Sequence, residues 1–162
     1  MSSSDATTTE AEETAEGGDE AAPDTVREAM LEQLTAELGD ALVDSHLEPQ
    51  WDLTIRVTAA AWADTAAFLR TGMGFAYFNF LSAIDWMPSP FGRDMDSQVD
   101  LSLGLDEASE IDTTIQHGTT GGDTRFQVLA RVNDVVNHRA ITIKADVPDD
   151  SLTVPSLSLI HI

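Results

Sequence analysis

Two short segments alternate apolar and polar residues with a period of two, and this pattern limits the folds open to the chain. Residues 51–57 alternate strictly, and residues 140–147 follow the same pattern. Because successive side chains of a strand point to opposite faces, each segment predicts a β-strand with one buried face. The inward positions of the second segment are Ile141, Ile143, Ala145 and Val147.

Each of these segments has a second predicted strand next to it along the chain. The two pairs are residues 41–47 with 51–57 and residues 125–132 with 140–147. The first pair turns at residues 48–50, which include Pro49, and the second turns within residues 133–139. Connections this short favour antiparallel hairpins.

The first helix is predicted over residues 26–38, where apolar residues recur every four positions. Thr25 and Glu28 have the spacing of a capping box, which would place the hydroxyl of Thr25 at the N-cap. Gly39 stands where a glycine commonly follows a helix. The predicted buried face comprises Val26, Met30, Leu34 and Leu38.

A second helix is predicted over residues 60–70, with Thr58 as its cap. Its inner face would carry Trp62, Ala66 and Leu69. Two helices combined with strands that are mostly joined by hairpins predict an α+β fold. In this fold a mostly antiparallel sheet of about four to five strands carries both helices on one face.

Residues 75–86 form the most apolar run of the chain. The run is too short and too aromatic for a membrane-spanning helix, so it predicts a turn followed by a buried strand. Alternation sends one set of side chains to the core and the other set outward, where a partner protein would cover it. For Asp85 a cap or turn hydrogen bond is the first interpretation and an interface role the second. The candidate interface residues are Tyr77, Phe80, Ser82, Asp85 and Trp86.

A long polar stretch follows at residues 87–124, and a loop of this length is either functional or an insertion. Residues 94–105 have the spaced aspartates of a calcium loop, but Val99 and Leu105 replace the required Gly and Glu. Residues 118–122 are rich in glycine but lack the Gly-Lys-Ser/Thr ending of a P-loop. We therefore predict a solvated acidic loop and a turn.

No convincing active site is predicted elsewhere. The histidines are His46, His117, His138 and His161, and none has HxxxH or HxxE spacing. Ser82 lacks the Gly-x-Ser-x-Gly elbow of a nucleophile. The chain has no cysteine, which excludes a disulfide framework, a thiolate zinc site and a cysteine-bound iron–sulfur cluster.

The net charge of the chain limits the classes of partner that it can bind. Twenty-nine acidic and 8 basic residues give a formal net charge of −21, so nucleic acids and anionic lipid surfaces would repel it. No apolar stretch is long enough for direct membrane insertion, and the N-terminus lacks the basic and apolar regions of a secretory signal. Residues 1–23 are acidic and almost without large apolar residues, which predicts a disordered tail.

An ordered series of motifs resembles one family. Residues 75–85 have an aromatic–Leu–Ser–x–x–Asp block, and residues 141–150 form an apolar strand that ends in Val-Pro and two acids. A Val-Pro-Ser step follows at residues 154–156. Together they resemble the N-terminal part of the thirty-kilodalton-type subunit of bacterial respiratory NADH–quinone oxidoreductase (complex I). Residues 86–93 and 117–126 are similar to the insert of actinobacterial-type members.

This resemblance implies a non-catalytic subunit of an enzyme that transfers electrons from NADH to quinone and translocates protons. It implies no cofactor in this chain, since FMN, the iron–sulfur clusters and quinone are bound by other subunits. The implied partners are the quinone-site subunit and the cluster-bearing subunits. The implied location is peripheral, at the cytoplasmic face of the cell membrane.

The resemblance also defines the predicted organisation. Residues 1–23 are the tail, residues 24–156 the domain that resembles the thirty-kilodalton-type subunit, with the insert at 87–124, and residues 157–162 depart from the family. The family continues there with a Glu-Arg-Glu-like segment, so we predict a truncated end with unrelated residues, against the alternative of a genuine final strand. The competing functional hypothesis is a stand-alone acidic α+β binding module whose long loop holds a cation or small ligand.

Overall fold

A computed structural model describes residues 24–49, 51–89, 102–104 and 114–157. Helices α1 and α2 are each adjoined by one turn of 3₁₀ helix, after α1 and before α2. The helices are α1 (Thr25–Leu38) and α2 (Trp62–Thr71), and the turns are Gly39–Ala41 and Ala59–Ala61. The strands are β1 (Leu42–His46), β2 (Leu53–Val57), β3 (Tyr77–Asp85), β4 (Phe126–Asp134) and β5 (Arg139–Asp146).

The five strands form one sheet in the order β1-β2-β5-β4-β3. The neighbours β1–β2, β5–β4 and β4–β3 are antiparallel, whereas β2 and β5 are parallel. Both predicted hairpins, β1–β2 and β4–β5, are present and join edge to edge through the parallel pair. The predicted α+β class, a mostly antiparallel sheet with two helices, is therefore confirmed.

The core lies between the two helices and one face of the sheet. The registers place Leu53 beside Ile141 and Ile55 beside Ile143, so the alternating positions of β2 and β5 share this face. The core residues are Met30, Leu34, Leu53, Ile55, Val57, Trp62, Ala66, Leu69, Met73, Phe75, Ala130, Val132, Ile141, Ile143, Ala145 and Leu157. Burial of these apolar side chains is the main force that holds the helices on the sheet.

The start of α1 differs from the prediction. Asp24 is the N-cap, and its carboxylate accepts a 3.1 Å hydrogen bond from the backbone N–H of Arg27 and pairs with the guanidinium of the same residue. Thr25 is the first helical residue, so the predicted capping box is wrong. Asp24 prevails because an ionised cap also interacts favourably with the helix dipole. Val26 is exposed rather than buried, whereas Gly39 ends the helix at φ 50° as expected for a glycine.

Helix α2 begins at Trp62, two residues later than predicted. Thr58 does act as a cap, but its side chain accepts from the N–H of Ala61 and so caps the preceding 3₁₀ turn. The predicted inner face is confirmed, since Trp62, Ala66 and Leu69 are all buried.

Strand β3 is an edge strand, so the prediction of a buried strand is wrong. It pairs with β4 on one side, and no described strand lies on its other side. Helix α1 packs beside β1 and α2 beside β5. The buried aromatic residue of this run is Phe75, which precedes the strand.

Several predictions fall on residues outside the described ranges. These are the tail at residues 1–23, most of the stretch between residues 90 and 113, and residues 158–162. Leu157, the last described residue, packs into the core. Residues 114–124, the C-terminal part of the predicted long loop, lie across the sheet face opposite the helices, and we call this segment the strap.

Candidate subunit interface

Strand β3 exposes a row of large apolar side chains. Tyr77 is 56% exposed, Phe80 41% and Leu81 53%, and Ser82 beside them is exposed as well. Four of the five predicted interface residues, all except Trp86, therefore lie on this one surface strand. Single exposed apolar residues are common, but several of them along one edge strand are typical of a contact site.

Both faces of β3 contribute to this surface. Phe80 pairs with Arg131 and Ser82 with Leu129, on the sheet face that the strap lies over. Leu81 pairs with Ala130, whose side chain is in the core, so Leu81 points to the helix side. A bulge between Phe78 and Phe80 places Phe80 on the face that the strap lies over, because the extra residue shifts the register by one.

The opposite edge of the sheet is protected in a way that β3 is not. Both edge strands contain a bulge, but β1 has only five residues and carries a charged side chain at Asp44 in its interior. Short length, bulges and charges are the usual means by which edge strands avoid pairing with other chains. From Phe80 to Ile84, strand β3 carries no charge and no proline.

Asp85 ends β3 and is occupied within the chain. Its carboxylate accepts from Nε and Nη2 of Arg125 at 2.8 and 2.6 Å and from the N–H of Met87 at 3.0 Å. The Arg125 hydrogen bonds and then the Met87 N–H lower the pKa of Asp85 to about 2. The first interpretation of this residue, a turn hydrogen bond, matches the observed geometry.

Trp86 lies on the sheet face that the strap covers rather than at the outer edge of β3. Its Nε1 donates to Oε1 of Gln127 at 2.8 Å, and its ring lies 5.7 Å from that of His117. The ammonium of Lys144 lies 5.5 Å from the indole centroid. Trp86 therefore holds the strap against the sheet, and the structure does not place it with the exposed residues of β3.

A buried polar cluster lies beneath the strap, and the sequence patterns did not predict it. Arg56 Nη1 donates to Asp146 at 2.7 Å and to Asp123 at 2.8 Å, while Gln127 Nε2 donates to Asp146 at 2.7 Å. Lys144 is adjacent to Arg56 in the register and donates to the carbonyl of Thr119. These side chains connect β2, β4 and β5 to the strap.

The pKa values in this cluster reflect burial balanced against hydrogen bonds. Burial alone would lower the pKa of Arg56, but the hydrogen bonds to Asp123 and Asp146 outweigh it and raise the pKa. Burial would raise the pKa of Asp146, but donation from Gln127 and Arg56 lowers it. Burial lowers the pKa of Lys144, and the nearby charge of Asp146 offsets this lowering only in part, since the ammonium itself donates to the neutral carbonyl of Thr119.

The glycine-rich part of the strap forms a turn, as predicted. Thr120 and Gly121 have positive φ angles of 66° and 58°. The carbonyl of Gly121 accepts from Gln127, so the turn faces inward onto the polar cluster. The spaced aspartates of residues 94–100 lie outside the described ranges, and cation binding by that loop stays a prediction.

An open cavity of about 370 Å³ lies on the strap side of the sheet. Its floor is a row that crosses β1, β2, β5 and β4, and the guanidinium of Arg131 in this row is paired with Asp52. The lining residues are His46, Glu48, Trp51, Asp52, Thr54, Thr119, Arg131 and Thr142. Within the described part of the chain, no group of three or more His, Cys, Asp or Glu residues is placed to hold a metal ion.

Similarity to known proteins adds no further guide to these residues. No protein-family model matches the chain, and no curated protein matches it either. Among the helices that the structure describes, none has the length and apolar character to cross a membrane.

Proposed function

We propose that this chain is a non-catalytic subunit of the peripheral arm of NADH–quinone oxidoreductase. In this proposal it supports electron transfer from NADH to quinone without binding FMN, an iron–sulfur cluster or quinone itself. It lies on the cytoplasmic face of the membrane beside the quinone-site subunit and cluster-bearing subunits. The ordered motif series of residues 75–85, 141–150 and 154–156 motivates the choice of family.

The single observation that carries a role in assembly is the apolar surface of β3. Tyr77, Phe80 and Leu81 expose aromatic and aliphatic area to water, which is unfavourable by about 25 cal/mol per Å² of apolar surface. A partner that covers this area recovers that free energy on binding. The internal pairing of Asp85 with Arg125 supports the same role, because the one carboxylate of the strand is already neutralised within the chain.

The polar side chains that the structure describes favour a structural role over a catalytic one. The buried Arg56 and Gln127 and the half-buried Asp146 hydrogen-bond one another or the strap, an arrangement that holds structure together. A catalytic acid or base instead has to reach a substrate from within a cleft. The function that these observations support best is therefore protein–protein contact within a larger enzyme.

Co-purification tests this proposal. The full chain is expressed together with a tagged quinone-site subunit of the oxidoreductase, and the amount of chain retained on the tag is measured. We expect retention of the wild-type chain, loss on Phe80→Lys, and retention of Val43→Lys, a matched lysine on the opposite edge strand where Val43 is 43% exposed. A monodisperse monomer that ignores the quinone-site subunit contradicts the proposal.

A further inference from the structure

We infer that the outer edge of β3 binds by strand addition: a partner protein contributes an extended segment that pairs with residues 80–85 as a sixth strand. The inference rests on the proposed function for the existence of a partner. It adds the type of contact, the position of the contact and the chemistry of the segment that makes it.

The backbone of β3 is the first reason. An edge strand presents a row of N–H and C=O groups that can pair with another chain. Beyond the bulge at Asn79, residues 80–85 run in continuous register along β4. Six residues extend about 20 Å and direct about three backbone pairs outward, which suits a short extended segment of a partner.

The exposure of both faces is the second reason. Phe80 and Leu81 are adjacent and point to opposite faces, yet both are largely exposed. A globular partner resting on one face would leave the other face in water. A strand beside β3 places its alternating side chains next to Phe80 on one face and next to Leu81 on the other.

Charge identifies the kind of partner. Residues 77–85 and 125–134 contain two acids, Asp85 and Asp134, and two bases, Arg125 and Arg131, so this part of the surface is neutral. Each acid is paired with an arginine. The whole chain carries −21, so two copies of it would repel each other as they approach, even though the edge itself is neutral. The geometry therefore favours a different protein whose segment is apolar on alternate positions and neutral or basic.

Hydrogen–deuterium exchange tests strand addition on the complex of the full chain with the quinone-site subunit. In the chain alone, amides of β3 that bond to β4 should exchange slowly and the alternate, outward amides of residues 80–85 should exchange fast. We expect the fast class to be lost in the complex. The amides of β1, measured in the same samples, serve as the control and should keep their rates.

The outcomes separate this inference from the proposed function. A complex in which the outward amides of β3 still exchange fast overturns strand addition and leaves the proposed function standing. Failure to form any complex overturns the proposed function and the inference with it. Protection that appears in the chain alone as its concentration rises shows that a second copy occupies the edge, which overturns the assignment to a different partner.

Two variants add a readout that does not depend on exchange. Phe80→Lys and Leu81→Lys place a charge on opposite faces of the same strand, and both side chains are exposed, so the fold should tolerate them. Strand addition predicts that each variant weakens the complex about tenfold or more. Docking on a single face predicts that only one of them does, and that result contradicts the inference.

Discussion

Replacement of Asp146 by asparagine should destabilise the chain more than any loss of a surface charge. The carboxylate of Asp146 accepts from Arg56 and Gln127, each at 2.7 Å. The side chains of Arg56 and Asp146 are only 10% and 19% exposed. Asp146→Asn leaves the Arg56 guanidinium buried with Asp123 alone, and Asp123 is 77% exposed.

The expected cost follows from this geometry. Removal of one partner of a buried pair costs about 3 to 5 kcal/mol, and partial exposure places this site at about 3 kcal/mol. With a urea m-value of about 2 kcal/mol per M, the unfolding midpoint should fall by about 1.5 M. The assay is equilibrium urea unfolding of the full chain, followed by tryptophan fluorescence.

Two controls make the result interpretable. Asp123→Asn removes the exposed partner of Arg56 and should cost less than about 1 kcal/mol. The double variant Arg56→Met with Asp146→Leu removes both charges and should recover much of the loss, because no unpaired charge remains buried. A midpoint for Asp146→Asn within about 0.3 M of the wild type would show that Arg56 does not depend on Asp146 for its stability in the fold.

Three further predictions concern other contacts. Asp134 accepts hydrogen bonds from Asn137 and Arg139, which lower its pKa to about 2. Its contribution to stability is therefore full above about pH 4 and is lost as the pH falls through 2. In an acid titration followed by circular dichroism, the stability of Asp134→Asn should decline less steeply than that of the wild type. Leu157→Ala should cost about 2 to 4 kcal/mol in urea unfolding, because the Leu157 side chain is 3% exposed in the core. Gly122→Ala should loosen the strap, since a Cβ there would collide with the side chains of His117 and Gln127, and faster amide exchange across residues 114–124 would show it.

The strands were predictable from sequence because their signal is local. Leu53 and Ile141 sit at the inward positions of alternating segments, and both are fully buried where the pattern placed them. The hairpins followed because each pair is joined by a short connection. The parallel pairing of β2 with β5 was not predictable in this way, because it joins residues about 90 apart through the packing of the whole sheet.

The sequence failed to predict the burial of the polar face and the exposure of β3 for the same reason. Arg56 and Lys144 stand at the outward positions of their strands. Polar residues occupy such positions whether the outer face of the sheet is solvated or covered. The strap covers these two residues, and no pattern within the strands reports it. In the same way the aromatic residues of β3 are typical of a core strand, and its position at the end of the sheet is what exposes Phe80 and Leu81.

The error at the start of α1 was of a different kind. Asp24 and Thr25 are both good N-cap residues, and their order in the sequence offers two starting points for one helix. Besides the helix dipole, the guanidinium of Arg27 favours Asp24, since it reaches the carboxylate of that residue. A side-chain contact across one turn of helix is too small a feature for the hydrophobic pattern to reveal.

Site-specific photo-crosslinking within the oxidoreductase to which we propose the chain belongs tests whether β3 contacts a neighbouring subunit. A photoreactive phenylalanine derivative is introduced at position 80 on β3 and, as the matched control, at position 43 on β1, and the enzyme is irradiated and separated by size. We expect a crosslink from position 80 to a neighbouring subunit and none from position 43. Absence of the chain from the purified enzyme, or equal crosslinking from both edges, would contradict it.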